Sequence, residues 1–127
     1  SGTHFKEMSI WEKTKLNPLK FSGKWYREAG SGMGATLNLA NGMGAYTITD
    51  RASWINFNNK GELKMFTEKS DILFNQYGII LVNPARCPNV KFNIANKFIK
   101  WLTSSEGQTK IKAFKVKGEQ LFFPNAN

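Results

Sequence analysis

The sequence is poor in the residues that form disulfides, metal centres and many catalytic sites. Its 127 residues include one cysteine, Cys87, and one histidine, His4. A single cysteine forms no internal disulfide, and His4 lies too far from it along the chain for the usual spacing of metal ligands. We therefore interpret Cys87 as a loop residue and His4 as a residue in the first turn of a helix. We expect no metal centre and no cofactor.

Long apolar runs are also missing. No stretch approaches the roughly 18 apolar residues that a membrane-spanning helix needs. The first residues lack the basic and then apolar segments of a signal peptide, so none is expected here. Because the chain has no initiator methionine and opens in what resembles a helix cap, we expect a processed product or a fragment of a longer protein. Apolar residues make up 41% of the chain, which suffices for one globular domain.

Acidic side chains are few, with nine against 18 lysines and arginines, and the net charge is +9. Such an excess is typical of nucleic-acid-binding proteins when the basic residues cluster. Here they are spread along the chain, and the closest group is Lys110, Lys112, Lys115 and Lys117. We interpret this group as the solvated face of a C-terminal helix and the strand after it. No nucleic-acid partner is expected, although the positive field would attract small anions.

Glycines and hydroxyl residues are concentrated at two predicted helix starts. Residues 30–36 contain three glycines within five positions and lead into a short helix, and Ser1, Gly2 and Thr3 lead into another. The first N–H groups of a helix have no partner within it, and glycine lets the backbone approach a ligand closely. One such turn is most simply an ordinary cap. Two of them predict an anion site that both helices share.

Helical and strand patterns alternate along the chain, which predicts an α/β fold without internal repeats. Gly42 and Gly44 should end the short helix that begins near Leu37, and Asp50 should cap the helix that follows. The uncharged run 77–82 has the pattern of a central strand buried on both faces. The predicted helices are 3–16, 37–41, 51–58, 90–102 and 106–114, and the predicted strands are 45–49, 63–66 and 77–82.

Several motifs together resemble one family. They are Ser1-Gly2-Thr3-His4, Trp25-Tyr26, Gly32-Met33-Gly34-Ala35-Thr36-Leu37, Ala45-Tyr46-Thr47-Ile48-Thr49-Asp50-Arg51, Ile80-Leu81-Val82-Asn83-Pro84, Trp101-Leu102-Thr103-Ser104, Glu106-Gly107-Gln108 and Leu121-Phe122-Phe123-Pro124. In order and spacing they resemble the second half of the periplasmic tungstate-binding proteins of ABC transporters, within the type II periplasmic-binding-protein superfamily. The resemblance covers essentially the whole chain. It implies an α/β clamp that closes on a tetrahedral oxyanion, tungstate or molybdate.

The resemblance also implies which residues bind the anion. Hydroxyl groups would come from Ser1 and Thr3, and backbone N–H groups from Gly2 to His4. The second helix start would donate N–H groups from Met33, Gly34 and Ala35, with Thr36 as a neighbour.

Thr47 and Tyr46 are alternative ligands further along the chain. Thr47 stands where related molybdate binders place a tyrosine three residues before an aspartate, and Tyr46 is adjacent to it. Only one of the two can point at the ligand from a strand. Tyr46 is otherwise expected in the core.

The resemblance predicts an incomplete clamp. Residues 1–80 would form the ligand-binding second lobe without its first strand, and residues 81–127 the crossover and the C-terminal helices that pack toward the first lobe. The arginine and the Thr/Ser-rich anion-binding strand of that first lobe are not in the sequence. Uncovered apolar surface and strand edges predict association between copies or domain swapping.

The function implied is therefore that of a solute-binding protein, not an enzyme, located in the periplasm or cell envelope. Its partners would be the oxyanion and an ABC transporter permease. The alternative with the same fold is the effector-binding domain of a LysR-type regulator, although no helix-turn-helix segment is visible. A nucleotide-binding enzyme is disfavoured because residues 31–36 lack the Lys-Ser/Thr ending of a P-loop.

Overall fold

The structure is a computed structural model that describes residues 2–126. The chain divides into two units, Ser1–Phe74 and Asn75–Asn127. The first unit contains the helices α1 (Gly2–Lys13), α2 (Met33–Met43) and α3 (Arg51–Asn56), together with the 3-10 turns Pro18–Phe21 and Asp71–Leu73. The second contains α4 (Phe92–Thr103), α5 (Ser105–Ala113) and a hairpin of β1 (Lys115–Val116) and β2 (Glu119–Gln120).

In the first unit, an aromatic cluster holds α1. Trp11 on α1 contacts Trp25, with ring centroids 5.8 Å apart, and Trp25 contacts Phe21 at 5.0 Å. Tyr26, at 7% exposure, is buried beside them. Trp25 and Tyr26 therefore pack in the cluster that holds α1.

Helix α2 has a buried face of its own, and its bounds follow from local chemistry. Leu37 and Ala40 are buried on one face. Gly44 ends the helix in the left-handed conformation, with φ 59°, and its N–H bonds back to the carbonyls of Ala40 and Asn41. The predicted stop is confirmed at Gly44, whereas Gly42 lies within the helix. The helix begins at Met33, four residues before the predicted start, because the glycine-rich stretch supplies its first turn as well as its cap.

In the second unit, α4 and α5 meet at a junction too tight for any side chain. Gly107 is buried, and a Cβ atom there would lie 2.2 Å from the carbonyl oxygen of Trp101. Ser104 ends α4 and caps α5 by accepting a hydrogen bond from the Gly107 N–H at 3.3 Å. The predicted helices 90–102 and 106–114 are confirmed with small shifts of their ends.

The C-terminal tail packs within the second unit, as expected of an apolar tail. Leu121 is buried. Phe122 stacks on Phe114 with centroids 6.4 Å apart and meets the edge of Tyr77 at 5.6 Å. The side chain amides of Gln76 and Asn125 bond to each other, at 2.7 and 3.3 Å.

The three predicted strands are wrong as paired strands. Among residues 2–126 the sheet consists of the antiparallel pair β1 and β2, in which Lys115 faces Gln120, and the segments 45–49, 63–66 and 77–82 pair with no other backbone. Segment 77–82 is not buried on both faces, since Ile80 is 88% exposed. Alternation and apolar character predict where a strand would bury its side chains, but a strand also needs neighbouring backbone to bond with. None of the helices in the described part is long and apolar enough to cross a membrane.

Candidate anion-binding site

The start of α2 presents free backbone donors. Gly32 is the N-cap residue and has no side chain to accept a hydrogen bond from the first turn. That turn contains no acidic residue, and Gly34 and Ala35 are exposed. The N–H groups of Met33, Gly34 and Ala35 precede the first bond within the helix, which Thr36 donates to the Gly32 carbonyl at 3.1 Å. Three adjacent donors at the positive end of a helix dipole can therefore face an anion.

The starts of two other helices are closed by their own side chains. Asp50 caps α3 by accepting hydrogen bonds from the N–H of Ser53 at 2.8 Å and from its hydroxyl at 2.7 Å. Ser104 caps α5, as described above. The predicted cap at Asp50 is confirmed, and neither helix offers the open first turn that α2 has.

Thr36 has its hydroxyl turned toward the helix. Its Oγ1 and its backbone N–H both donate hydrogen bonds to the Gly32 carbonyl oxygen, each at 3.1 Å. In the described structure, Thr36 therefore supports the turn rather than pointing away from it. That it neighbours a bound anion stays a prediction.

The start of α1 is described from Gly2 onward. Gly2 is exposed and Thr3 is half-buried, both in the first turn of the helix. Ser1, the predicted hydroxyl donor before them, lies outside the described residues. His4 is in the first turn as predicted, and its Nδ1 lies 3.5 Å from a carboxylate oxygen of Glu7. The geometry described here concerns each helix start separately. The shared anion site of α1 and α2 stays a prediction.

Glu7 links this first turn to the aromatic cluster. One of its carboxylate oxygens accepts a hydrogen bond from Trp11 Nε1 at 3.3 Å. Burial raises the pKa of Tyr26 to about 12, and a hydrogen bond to Glu7 and the nearby charges of Glu7 and Glu28 add to the effect. The Tyr26 phenol therefore keeps its proton and is hydrogen-bonded to Glu7 of α1. Sequence reasoning missed this connection, although Glu7 and Trp11 are four residues apart on one helix. The bond between Glu7 and Tyr26 had no such local signal.

The middle of α2 is held by asparagine side chains that the sequence analysis also missed. Asn59 donates through its side chain to the Asn38 side chain at 2.8 Å, and Asn41 donates to the Asn59 carbonyl at 3.2 Å. Asn38 and Asn41 are three residues apart and so lie on one face of the helix. The only sequence signal for these hydrogen bonds was that spacing, together with the Asn-Asn pair shortly before Gly61.

Tyr46 and Thr47 follow the opposite end of α2. Tyr46 is 88% exposed, so the expectation that it lies in the core is wrong. Its ring contacts Phe66, with centroids 5.6 Å apart. Thr47 is exposed, and its hydroxyl lies 3.5 Å from the Ile48 carbonyl. Neither residue is in a paired strand, so the choice between them as ligand stays a prediction.

Residues for a metal centre are not brought together. Within residues 2–126, no group of three or more His, Cys, Asp or Glu side chains is close enough to hold a metal ion. Cys87 is exposed in a turn, as predicted for a loop residue. Arg51, next to the α3 cap, forms an ion pair with Glu68. The chemistry that the site offers is therefore hydrogen bonding by neutral donors.

Comparison with known proteins shows the superfamily to which the chain belongs. The chain belongs to the PBP superfamily, since the PBP superfamily domain matches residues 1–106. The expected fold class is thereby confirmed.

Individual proteins with similar sequences or structures are named for anion or tungstate binding. A protein of Haloferax volcanii, named as an ABC transporter anion-binding protein, is 44% identical over 99% of this chain and 37% of its own length. The tungstate-binding protein TupA of Peptoclostridium acidaminophilum is 41% identical over 99% of this chain and 44% of its own length. The solved structure of TupA from Desulfovibrio alaskensis G20 superposes with a TM-score of 0.83, at 42% identity, over 100% of this chain and 52% of that one. The resemblance to tungstate-binding proteins is confirmed.

The chain matches only part of the length of each relative. The chain spans about two fifths of the length of the curated relatives and about half of the solved structure. The regulator alternative receives no support from these relatives.

Proposed function

We propose that this chain is part of a solute-binding protein that holds a tetrahedral oxyanion, tungstate or molybdate, for delivery to an ABC transporter. The observation that carries the proposal is the start of α2, where Gly32 leaves the N–H groups of Met33, Gly34 and Ala35 without a side-chain cap. The relatives named for tungstate and anion binding supply the class of ligand. We propose no catalytic activity.

The binding mechanism follows from neutral donors and a helix dipole. The three N–H groups point at one anion, and the partial positive charge at the helix start adds to them. Thr3 and Gly2 of α1, with Ser1, would contribute a second set, and either Thr47 or Tyr46 a further hydroxyl. Hydrogen bonds to a charged acceptor contribute about 1.5 to 3 kcal/mol each, so a few of them hold an anion without a lysine or arginine.

Selectivity among oxyanions would come from size and donor number. Tungstate, molybdate and sulfate are all tetrahedral and doubly charged, so charge alone distinguishes them poorly. In a cleft whose donors are spaced for the larger anions, some donors would remain unpaired around sulfate. An unpaired buried donor costs binding free energy.

The proposed partners lie beyond the site. A second lobe, corresponding to the part of the relatives that this chain does not span, would close over the anion about a hinge. The closed form would then dock on a permease in the cell envelope. A chain extended to the relatives' full length is therefore expected to bind the anion more tightly than this one.

Titration calorimetry of tungstate, molybdate and sulfate against paired variants of Ala35 tests the proposal. Ala35→Glu places a carboxylate in the exposed first turn of α2, where it competes with the ligand for the same donors. We expect Ala35→Glu to weaken tungstate binding at least about tenfold, equivalent to about 1.4 kcal/mol.

Ala35→Gln is the matched control, with the same shape and no charge. It should bind tungstate within about threefold of the parent. Equal affinities of all three proteins for tungstate would remove the α2 start from the site. Absence of binding in both this chain and the extended one would reject the oxyanion function.

A further inference from the structure

The side-chain hydrogen bonds that hold α2 lie along its side and not at its start. Asn59 Nδ2 donates to Asn38 Oδ1 at 2.8 Å, and Asn41 Nδ2 donates to the Asn59 carbonyl at 3.2 Å. Just before α2, residues 29–31 form no hydrogen bond within the described part of the chain. The direction of the first turn of α2 therefore depends on contacts further along the helix.

The segment that contacts α2 is itself held by the rest of the first unit. Lys60 lies over the Trp54 ring of α3, with its Nζ 4.9 Å from the ring centre. Gly61 has φ 50°, and a Cβ atom there would fall on the side-chain amide of Asn41. Residues 59–61 thus join α3 to the side of α2. We refer to the hydrogen bonds of Asn38 and Asn41 with Asn59 as the asparagine contact.

The asparagine contact and the buried face of α2 fix the helix on two sides. Leu37 and Ala40 are buried, and Asn38 and Asn41, each one residue further on, lie about 100° around the axis. Residues 33–35 precede the asparagines by about 5 to 12 Å along the axis. A tilt of about 10° would therefore move their N–H groups by about 1 to 2 Å. That exceeds the roughly 0.5 Å within which a binding site must hold its donors.

We propose that Asn38, Asn41 and Asn59 are positioning residues of the anion site, which hold the N–H groups of residues 33–35 in the direction that the anion requires. This inference rests on the function proposed above, and these side chains act through α2 and not on the ligand. Without the asparagine contact, the first turn would sample several directions, and binding would carry the entropy cost of selecting one.

Calorimetry of tungstate against matched alanine variants tests this role, in this chain and in a chain extended to the relatives' full length. Asn38→Ala removes the bond to Asn59. Asn56→Ala is the control, because Asn56 is an exposed helical asparagine whose side chain bonds within α3, to the Ala52 carbonyl at 3.0 Å. We expect Asn38→Ala to weaken tungstate binding at least about threefold, and Asn56→Ala to stay within about 1.5-fold of the parent.

Two further readouts separate positioning from a merely structural contact, which would lower stability and leave the affinity of the folded protein unchanged. The double variant Asn38→Ala with Asn59→Ala should bind tungstate as the weaker single variant does, because either change breaks the same bond. The amide of Thr36, which bonds to the Gly32 carbonyl in the first turn, should exchange its hydrogen faster in Asn38→Ala and not in Asn56→Ala.

The outcomes distinguish this inference from the function on which it rests. Equal tungstate affinities of the parent and Asn38→Ala would overturn the positioning role and leave the anion site in place. Additive losses in the double variant would also overturn it, because the two asparagines would then act separately. A parent that binds no tungstate in either length of chain would reject the proposed function, and the positioning role with it.

Discussion

Tyr26 shows how one buried side chain sets a dependence on pH. Its raised pKa means that the folded protein keeps the phenol proton at a pH where the unfolded chain loses it. Above the ordinary tyrosine pKa of 10.0, the unfolded state therefore binds fewer protons than the folded state, and stability falls as pH rises. The effect is fully developed once the pH passes the folded-state value of about 12.

We predict that the free energy of unfolding falls by about 2 kcal/mol between pH 10 and pH 12 because of Tyr26. Urea unfolding of the parent and of Tyr26→Phe across this range measures it. Tyr26→Phe removes the titrating group, so its stability should change less over the same range. Identical pH profiles would show that Tyr26 does not titrate differently in the two states.

At the scale of elements, the tight junction between α4 and α5 rests on one glycine. Ala at position 107 would place its Cβ against the carbonyl oxygens of Trp101 and Leu102, which are backbone atoms that cannot turn aside. We predict that Gly107→Ala lowers the free energy of unfolding by about 2 to 3 kcal/mol, measured by urea unfolding.

Gly42→Ala is the control for this prediction. Gly42 lies within α2, and a Cβ there meets nothing within 4 Å. Alanine has the higher helix propensity, so Gly42→Ala should stabilise the protein by about 0.5 to 1 kcal/mol. A loss of stability in both variants would mean that the packing at Gly107 is not the cause.

Elements also show what the sequence could and could not predict. Helices were predictable because their caps and apolar spacing are local, as Asp50 before α3 and Gly44 after α2 illustrate. The strands predicted at 45–49, 63–66 and 77–82 were wrong, because pairing depends on backbone that the local pattern does not specify. The strand expected after the last helix lies in a hairpin whose partner is close in the chain. The apolar pattern of segment 77–82 is the same whether it is covered or exposed.

In the candidate site, too, some features could be predicted from local sequence and others could not. The open start of α2 followed from the glycines and small residues of its first turn, which are a local signal. The hydrogen bond of Asn59 with Asn38 joins residues from different parts of the first unit, and the spacing of the asparagines was its only signal. The bond of Trp11 with Glu7 joins residues four apart on α1, so it had a local signal that was missed. Tyr46 was expected in the core because it is aromatic, but residue type does not fix burial.

For the whole molecule, the excess of positive charge raises the local concentration of anions without choosing among them. We predict that changing Lys110, Lys112, Lys115 and Lys117 together to glutamine weakens tungstate binding less than about twofold near physiological salt. The Debye length there is about 8 Å, so a lysine that does not touch the bound anion contributes little to its affinity. Calorimetry at about 10 mM and about 150 mM salt measures the effect, which should grow at low salt. A tenfold loss at physiological salt would place these lysines in the site.

In the function proposed above, backbone N–H groups at the start of α2 bind the oxyanion. Titration of tungstate into ¹⁵N-labelled protein, followed by amide chemical shifts, tests it most directly because each donor reports separately. We predict the largest shifts at Met33, Gly34 and Ala35, further shifts at Gly2 and Thr3, and smaller shifts when sulfate replaces tungstate. Tungstate-dependent shifts confined to other residues, such as the lysines of the C-terminal hairpin, would contradict it.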